Sequence, residues 1–302
     1  MLTLKGLVLA LVTLSSATES PVPTYHSWVS EVRLTFFATD EQNQSVQDIH
    51  PGDFAVVDNE FVIRKFRSFN RANETTLDTV VLIDSSESVL PHYRKEIAEV
   101  LHLISQTQWL PEDKLSIASI GGSEIRTICS RDCSSSFMSE RIANLPTGGL
   151  TPLYDAVADS ARRFLEHRDP AVRPVIILFS DGKDTNSNTS FRDVAETILQ
   201  SEAQVYAIDV NSPKDRSDGT DALQRLAQIS GGRYFTIQDG AAEILSAVVD
   251  DLHSAHVVTY VPPASTAEFH TVLILPTHNL NLQFRCRRGY YDPGSLGKKR
   301  SP

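Results

Sequence analysis

Apolar and polar positions along this chain fall into three successive patterns. From about residue 28 to 69, apolar residues alternate with polar ones, as Val32, Leu34 and Phe36 do with Arg33 and Thr35. Short runs follow at Phe54-Ala55-Val56-Val57 and Phe61-Val62-Ile63, separated by turn-forming clusters such as Asp40-Glu41-Gln42-Asn43 and Pro51-Gly52-Asp53. A period of two with this punctuation predicts a small β segment of about four strands. Between about 76 and 256 the pattern changes. Near-continuous apolar runs at 79–83, 115–120, 125–128, 175–179, 205–210 and 234–237 alternate with helical stretches at 93–106, 137–144, 152–166, 191–200, 222–229 and 241–253. Thr151 before Pro152 reads as a helix N-cap, and Gly231-Gly232 reads as a helix stop. Strands return at 257–261, 271–275 and 281–284.

Buried strands alternating with helices predict an α/β core, a doubly wound and mainly parallel sheet flanked by helices. Each β flank is too short for a core of its own, so the two flanks are expected to build one small β-sandwich-like domain together. The resulting division is a β segment at 28–75, an α/β domain at 76–256, a second β segment at 257–293 and a disordered tail at 294–302.

The 302 residues are 41% apolar and 22% charged, which is ordinary for a folded chain. A formal charge of −10 argues against a nucleic-acid partner, which would call for a basic face. Residues 1–20 read as a signal peptide: Lys5, an apolar stretch from Gly6 to Leu14, then Ser15-Ser16-Ala17 as a small-residue cleavage site. That stretch is too short to span a bilayer and no later one approaches the required length, so no integral membrane segment is expected. The expected location is secreted or periplasmic. Export makes disulfides feasible, and of the three cysteines Cys129 and Cys133 are spaced to close a small loop, leaving Cys286 free. Three N-x-S/T sequons stand at Asn43, Asn73 and Asn188.

Chemistry concentrates where strands end. Asp84-Ser85-Ser86-Glu87-Ser88 follows the run Val80-Val81-Leu82-Ile83, and in an extended loop Asp84, Ser86 and Ser88 would point the same way. Gly148-Gly149-Leu150 leads Thr151 to the start of a helix, and a second apolar run, Val175 to Phe179, ends in Ser180-Asp181-Gly182. In a parallel sheet the strand C-termini share one edge, so Asp84, Ser86, Ser88, Thr151 and Asp181 are expected to converge there. Oxygen ligands of this kind suit a hard divalent cation, magnesium first, with manganese or calcium as alternatives. Glu87, Asp155 and Asp184 are assigned solvated or loop-bonding roles by default. Lys183 could bind a phosphate but reads first as a solvated loop lysine. His253 and His256, three apart on the last helix, lack a third ligand and read as surface or capping residues.

These residues resemble the metal-ion-dependent adhesion site of a von Willebrand factor type A (VWFA) domain covering roughly 76–256. The flanks, with Gly52-Asp53-Phe54-Ala55-Val56-Val57-Asp58 and Arg287-Arg288-Gly289-Tyr290-Tyr291, resemble those of secreted VWFA-related proteins common in acidobacteria. The resemblance implies that Ser86 and Ser88 hold the ion directly, that Thr151 does so directly or through water, and that Asp84 and Asp181 act directly or through bridging water. It also implies that the last core helix moves with the metal site. Two carboxylates against one divalent cation leave a near-neutral site open toward an anionic oxygen, such as an exposed Asp or Glu of a protein ligand. The leading expectation is an exported, metal-dependent binding module that is not an enzyme. The alternatives are a hydrolase or phosphoryl-transfer enzyme using the same ion as Lewis acid, and a structural subunit of an envelope assembly. No G-x-S-x-G, H-E-x-x-H or G-x-x-x-x-G-K-[ST] string supports the enzyme.

Overall fold

The computed structural model describes residues 31–89, 112–122, 124–131, 133, 147–211 and 218–292. The expected signal segment at 1–20, the helices expected at 93–106 and 137–144, and the tail at 294–302 lie outside the described residues.

The central sheet follows from the six apolar runs. It contains β5 (Thr76–Asp84), β6 (Lys114–Gly121), β7 (Glu124–Arg131), β8 (Val172–Ser180), β9 (Gln204–Asp209) and β10 (Tyr234–Thr236), in the order β10-β9-β8-β5-β6-β7. All pairs are parallel except β6 with β7, which form an antiparallel hairpin at one edge. Four described helices pack on the sheet: α1 (Leu153–Glu166), α2 (Phe191–Ser201), α3 (Asp218–Ser230) and α4 (Ala241–Ser254). Because side chains alternate along a strand, β5 feeds two cores. Leu77, Val81 and Ile83 join Ile244, Val248 and Leu252 of α4 on one face. Val80 and Leu82 join Leu153 and Val157 of α1, Ile198 of α2 and Leu226 of α3 on the other. Each such fully buried side chain contributes about 1.5–3 kcal/mol. Strand order departs from β5 in both directions, so the crevice of this sheet opens at the C-terminal end of β5.

The flanks interleave, as their lengths require. β1 (Val32–Thr39), β2 (Phe54–Asp58), β3 (Phe61–Ile63) and β4 (Ser68–Arg71) precede the core, while β11 (His256–Tyr260), β12 (Phe269–Pro276), β13 (Gln283–Cys286) and β14 (Gly289–Tyr291) follow it. They form two four-stranded antiparallel sheets, β13-β1-β11-β4 and β14-β12-β2-β3, each drawing strands from both ends of the chain. Leu34 and Phe36 of β1, Val56 of β2, Val258 of β11 and Ile274 of β12 share one core between them.

Several details depart from the sequence reading. β14 has only three residues and no run of alternation to announce it. α4 ends at Ser254, so His256 opens β11 instead of sharing a helix with His253. It is buried, its Nε2 lies 3.1 Å from the Gln47 carbonyl, and its ring stacks on Phe36 and Phe69. Cys129 and Cys133 are joined with Cα atoms 5.7 Å apart, and Cys286 is free, as their spacing suggested.

One polar cluster ties the two ends of the chain together. Asp58 is fully buried at the end of β2. Its Oδ2 accepts from the Tyr260 hydroxyl at 2.9 Å and the Tyr290 hydroxyl at 2.6 Å, and its Oδ1 lies 2.6 Å from His270 Nδ1. Those partners come from β11, β14 and β12. Removing the carboxylate deprives the Tyr260 hydroxyl of this acceptor and leaves the Tyr290 hydroxyl and His270 Nδ1 only each other, 3.0 Å apart, so two to three buried hydrogen bonds are lost at about 1–3 kcal/mol each. Asp58→Ala should therefore lower the unfolding free energy by about 3 kcal/mol or more, read by urea denaturation, whereas Asn59→Ala at the neighbouring turn should lower it by less than half as much.

Candidate metal site

Three loops meet at the crevice, and backbone hydrogen bonds hold them in place. After β5 the Ser85 amide donates to the Ile120 carbonyl at the end of β6 (2.7 Å). The Gly148 amide donates to the Ser85 carbonyl (2.9 Å), and the Gly122 amide donates to the Gly148 carbonyl (3.0 Å). Gly149, at φ +79°, approaches so closely that a Cβ there would lie 2.8 Å from the Gly122 Cα. The third loop follows β8. Its Gly182, at φ +76°, abuts the start of α3, where a Cβ would meet the Gly219 carbonyl oxygen at 2.1 Å. At both positions a side chain is excluded by backbone, which accounts for the glycines.

Asp84, Ser86, Thr151 and Asp181 are all buried at this junction, whereas Ser88 and Glu87 are exposed at its mouth. Asp84 Oδ1 accepts from the Ser86 amide (3.0 Å) and Oδ2 from the Ser180 hydroxyl (2.6 Å). The Ser86 and Ser88 hydroxyls lie 3.3 Å apart. They converge, but through a turn closed by the Val89 amide on the Ser86 carbonyl (3.2 Å), where the spacing had suggested an extended loop. Thr151 also departs from expectation. α1 begins at Leu153 with Pro152 in the N-cap position and no side-chain cap, so the Thr151 hydroxyl does not serve the helix. Instead the loop after β8 satisfies the first turn: the Tyr154 amide donates to Asp184 Oδ1 (3.1 Å) and the Asp155 amide to the Ser187 hydroxyl (3.0 Å). The same loop holds Thr151 through the Thr185 hydroxyl, which accepts from its amide (2.8 Å), and the Thr185 amide, which donates to its carbonyl (3.0 Å).

Asp155 and Asp184 are thus engaged in loop bonding. The Asp155 carboxylate accepts from the Asn188 and Thr189 amides, both at 2.9 Å. Sequence reasoning gave no role to Ser180, Thr185 or Ser187. The only signal for Ser180 was its place directly before Asp181 on a strand neighbouring β5. For the other two it was no more than their place in a polar loop.

The electrostatics of the junction favour a cation. Burial raises the Asp84 pKa to about 6 and the charge of Asp181 adds to the rise, against lowering by the hydrogen bonds from Ser180 and Ser86. Asp181 Oδ1 accepts from the Lys183 amide (3.0 Å), while its buried Oδ2 accepts no hydrogen bond. The nearest compensation for Oδ2 is Lys183 Nζ at 3.3 Å, an ion pair without hydrogen-bond alignment from a half-exposed side chain. A buried carboxylate oxygen lacking a donor, beside a second carboxylate and converging hydroxyls, fits a divalent cation with oxygen ligands. Among the described residues no three His, Cys, Asp or Glu side chains cluster, so hydroxyls must form the larger part of any such ligand set.

Fold and crevice together define the class, a doubly wound α/β domain with a hydroxyl- and carboxylate-lined cleft at its switch point. The sequence model for the von Willebrand factor type A domain matches residues 78–250, more than half of the chain, and the chain belongs to that family. Solved structures match the chain at low identity. Proximal thread matrix protein 1 from the mussel byssus, in a structure described as having a zinc-occupied MIDAS motif, is 17% identical with a TM-score of 0.48, over 66% of this chain and 50% of that one. A second crystal form of the byssal protein is 14% identical with a TM-score of 0.46, over 60% of this chain and 48% of that one. This chain therefore spans about half the length of the byssal protein. An aerotolerance-related membrane protein from Bacteroides fragilis is 16% identical with a TM-score of 0.44, over 58% of this chain and 98% of that one. No curated protein sequence matches the chain.

The raised pKa of Asp84 sets a pH dependence of defined sign. The folded state holds this proton more tightly than the unfolded state, whose value is near 3.8. The stabilisation is therefore complete below about pH 4 and is lost as pH rises through about 6, amounting to about 3 kcal/mol. In chelator, the stability of the wild type relative to Asp84→Asn should fall by roughly that amount between about pH 4 and about pH 7, measured by denaturant titration. A constant difference across that range would show that Asp84 titrates normally.

Proposed function

We propose that this chain is an exported binding module that holds a divalent cation on Asp84, Ser86, Ser88, Thr151 and Asp181 and captures an acidic side chain of a partner protein through it. Magnesium is the first choice, with manganese or calcium as alternatives. Domains of this family are typically protein-interaction modules, which supports the general part of the reading. The observation that carries the specific part is the buried Asp181 Oδ2, which accepts no hydrogen bond and sits in a crevice where Asp84 is itself short of positive charge. When bound, the ion supplies a Lewis-acidic position for a carboxylate oxygen. Asp181 and Asp84 balance its charge, while Ser86, Ser88 and Thr151 offer neutral oxygens that leave it electrophilic. Ser180 and Thr185 act as positioning residues, one holding Asp84 and the other Thr151. Among the described residues no helix is long and apolar enough to cross a membrane. The Cys129–Cys133 disulfide supports an oxidising compartment, in keeping with the signal-like segment.

Two measurements test the reading. Titration calorimetry with magnesium or manganese should show one site in the wild type and at least a tenfold loss of affinity in Asp84→Ala and Asp181→Ala, both retaining their far-ultraviolet dichroism. Partners retained by the immobilised protein from its native extracellular fraction should be released by EDTA and missed by Asp84→Ala. Capture that persists in EDTA or in that variant overturns the proposal. Lys183 offers a check in the opposite direction. Its ammonium competes for Asp181, so Lys183→Ala should tighten magnesium binding by roughly threefold, a modest effect because the lysine is half exposed. Weaker binding in that variant would instead make Lys183 a supporting element.

A further inference from the structure

At one open side of the β-sandwich the chain passes from one sheet to the other. β3 is the outer strand of its sheet and β4 the outer strand of the other, and residues 64–67 connect them. Phe66 turns inward and stacks on Phe54 with ring centroids 5.0 Å apart, closing the gap between the sheets. Its neighbours Arg64, Lys65 and Arg67 are left on the surface. These residues, with Val62, Ile63 and Val261, line a groove of about 730 Å³. Three cations and no acid line it, on a chain whose formal charge is −10. Glu31 lies 3.9 Å from Arg67, and among the described residues no carboxylate forms an ion pair with Arg64 or Lys65. Bare apolar surface accompanies the charge: Phe61 is 54% exposed, Val62 57% and Val261 40%.

The backbone of β3 adds a second recognition element. Its residues pair with β2 on one side, Val62 opposite Val57 and Ile63 opposite Val56, and no described strand pairs with the other side. An outer strand of this kind can accept a further strand, with hydrogen bonds from the main chain and selectivity from side-chain pockets. The charge here selects acidic side chains, and Val62, Phe61 and Val261 select apolar ones between them. We propose that this groove is a second protein-binding site, which takes an extended segment of alternating acidic and apolar residues as an added strand on β3. A concave groove beside an unpaired strand favours a peptide over an anionic membrane, which would engage a protruding basic surface. The site needs no metal and is independent of the crevice at Asp84.

The probe is a fluorescein-labelled peptide of alternating Asp and Val, with an alternating Lys and Val peptide as control, measured by fluorescence anisotropy on the full chain in EDTA. EDTA silences any contribution from the metal crevice, so the outcome is separate from that of the function proposed above. The acidic peptide should bind, should weaken at least tenfold as salt rises from about 0.05 M to about 0.5 M, and should lose at least tenfold against Arg64→Glu/Lys65→Glu. Both substituted side chains are solvent-exposed, and an unchanged melting temperature would confirm that the fold is kept. N-methylation of the peptide amides, made on each of the two alternate sets in turn, should abolish binding for the set that carries the main-chain donors facing β3. Absence of binding, equal binding of the lysine peptide, equal binding to the double variant or indifference to N-methylation would each overturn the proposal. So would binding confined to phosphatidylserine vesicles, which would make the groove a lipid contact.

Discussion

The pairing of β5 with β8 is the constraint from which the crevice follows. The two strands are parallel and in register along their length, Ile83 opposite Phe179, so the chain leaves both at the same level. Asp84 then lies beside Ser180, and one short hydrogen bond from that hydroxyl links the two strand ends. Were the register to slip by one residue, every side chain of β5 would change face. Val81 and Ile83 would leave the core beneath α4, and the carboxylate of Asp84 would turn away from the crevice. Hydrophobic sorting on the two faces of the sheet thereby sets the position of a polar group at its edge.

The flanking sandwich is part of the same packing arrangement. β1 lies between β11 and β13, so the N-terminal segment cannot complete its sheet until the entire α/β core has been traversed. The junction is polar and buried. Arg173 of β8, 2% exposed, donates its Nε to the Thr75 hydroxyl (2.8 Å) and its Nη2 to the Leu252 carbonyl near the end of α4. Asp251, one residue earlier, receives Arg285 of β13 at 2.5 Å, and that guanidinium also lies 4.0 Å over the Phe37 ring of β1. α4 passes into β11 across Ala255 alone. The last helix of the core is therefore tied to the sandwich by covalent continuity into β11 and by the Asp251–Arg285 ion pair, while the cation–π contact braces Arg285 against β1 within the sandwich.

Most of the architecture was legible because it rests on local periodicity. The six core strands announce themselves as apolar runs, and the nearness of Asp84 to Asp181 follows from β5 and β8 ending at one edge. What could not be read depends on distant partners. Nothing local marks Asp184 as an acceptor for the Tyr154 amide of α1, because the helix it serves begins 31 positions earlier than its own number. Thr151 before Pro152 has the composition of a cap, yet tertiary hydrogen bonds from Thr185 hold it outside the helix. His256 looked helical by spacing from His253, but pairing of β11 with β1 and β4 draws the chain into a strand two residues after Ser254. In each instance a long-range contact overrode a sound local preference.

The acidic character of the crevice also bears on how capture would be controlled. Asp84, Asp181 and the exposed Glu87 give an incoming carboxylate nothing to bind and much to oppose it. At about 5 Å and an effective dielectric near 20, each like-charge pair costs about 3 kcal/mol. Lys183 neutralises part of this, but from a half-exposed ammonium that cannot offer an electrophilic coordination position. A divalent ion would change the balance more than any side chain at the crevice. It would cancel both buried carboxylates, and because its remaining ligands in the proposed function are the neutral hydroxyls of Ser86, Ser88 and Thr151, positive potential would be left facing outward. Had those hydroxyls been carboxylates, the ion would be held more firmly and its charge spent internally. On the proposed function, serine and threonine at these positions would trade ion affinity for dependence on a partner anion, and ion and ligand would each strengthen the binding of the other.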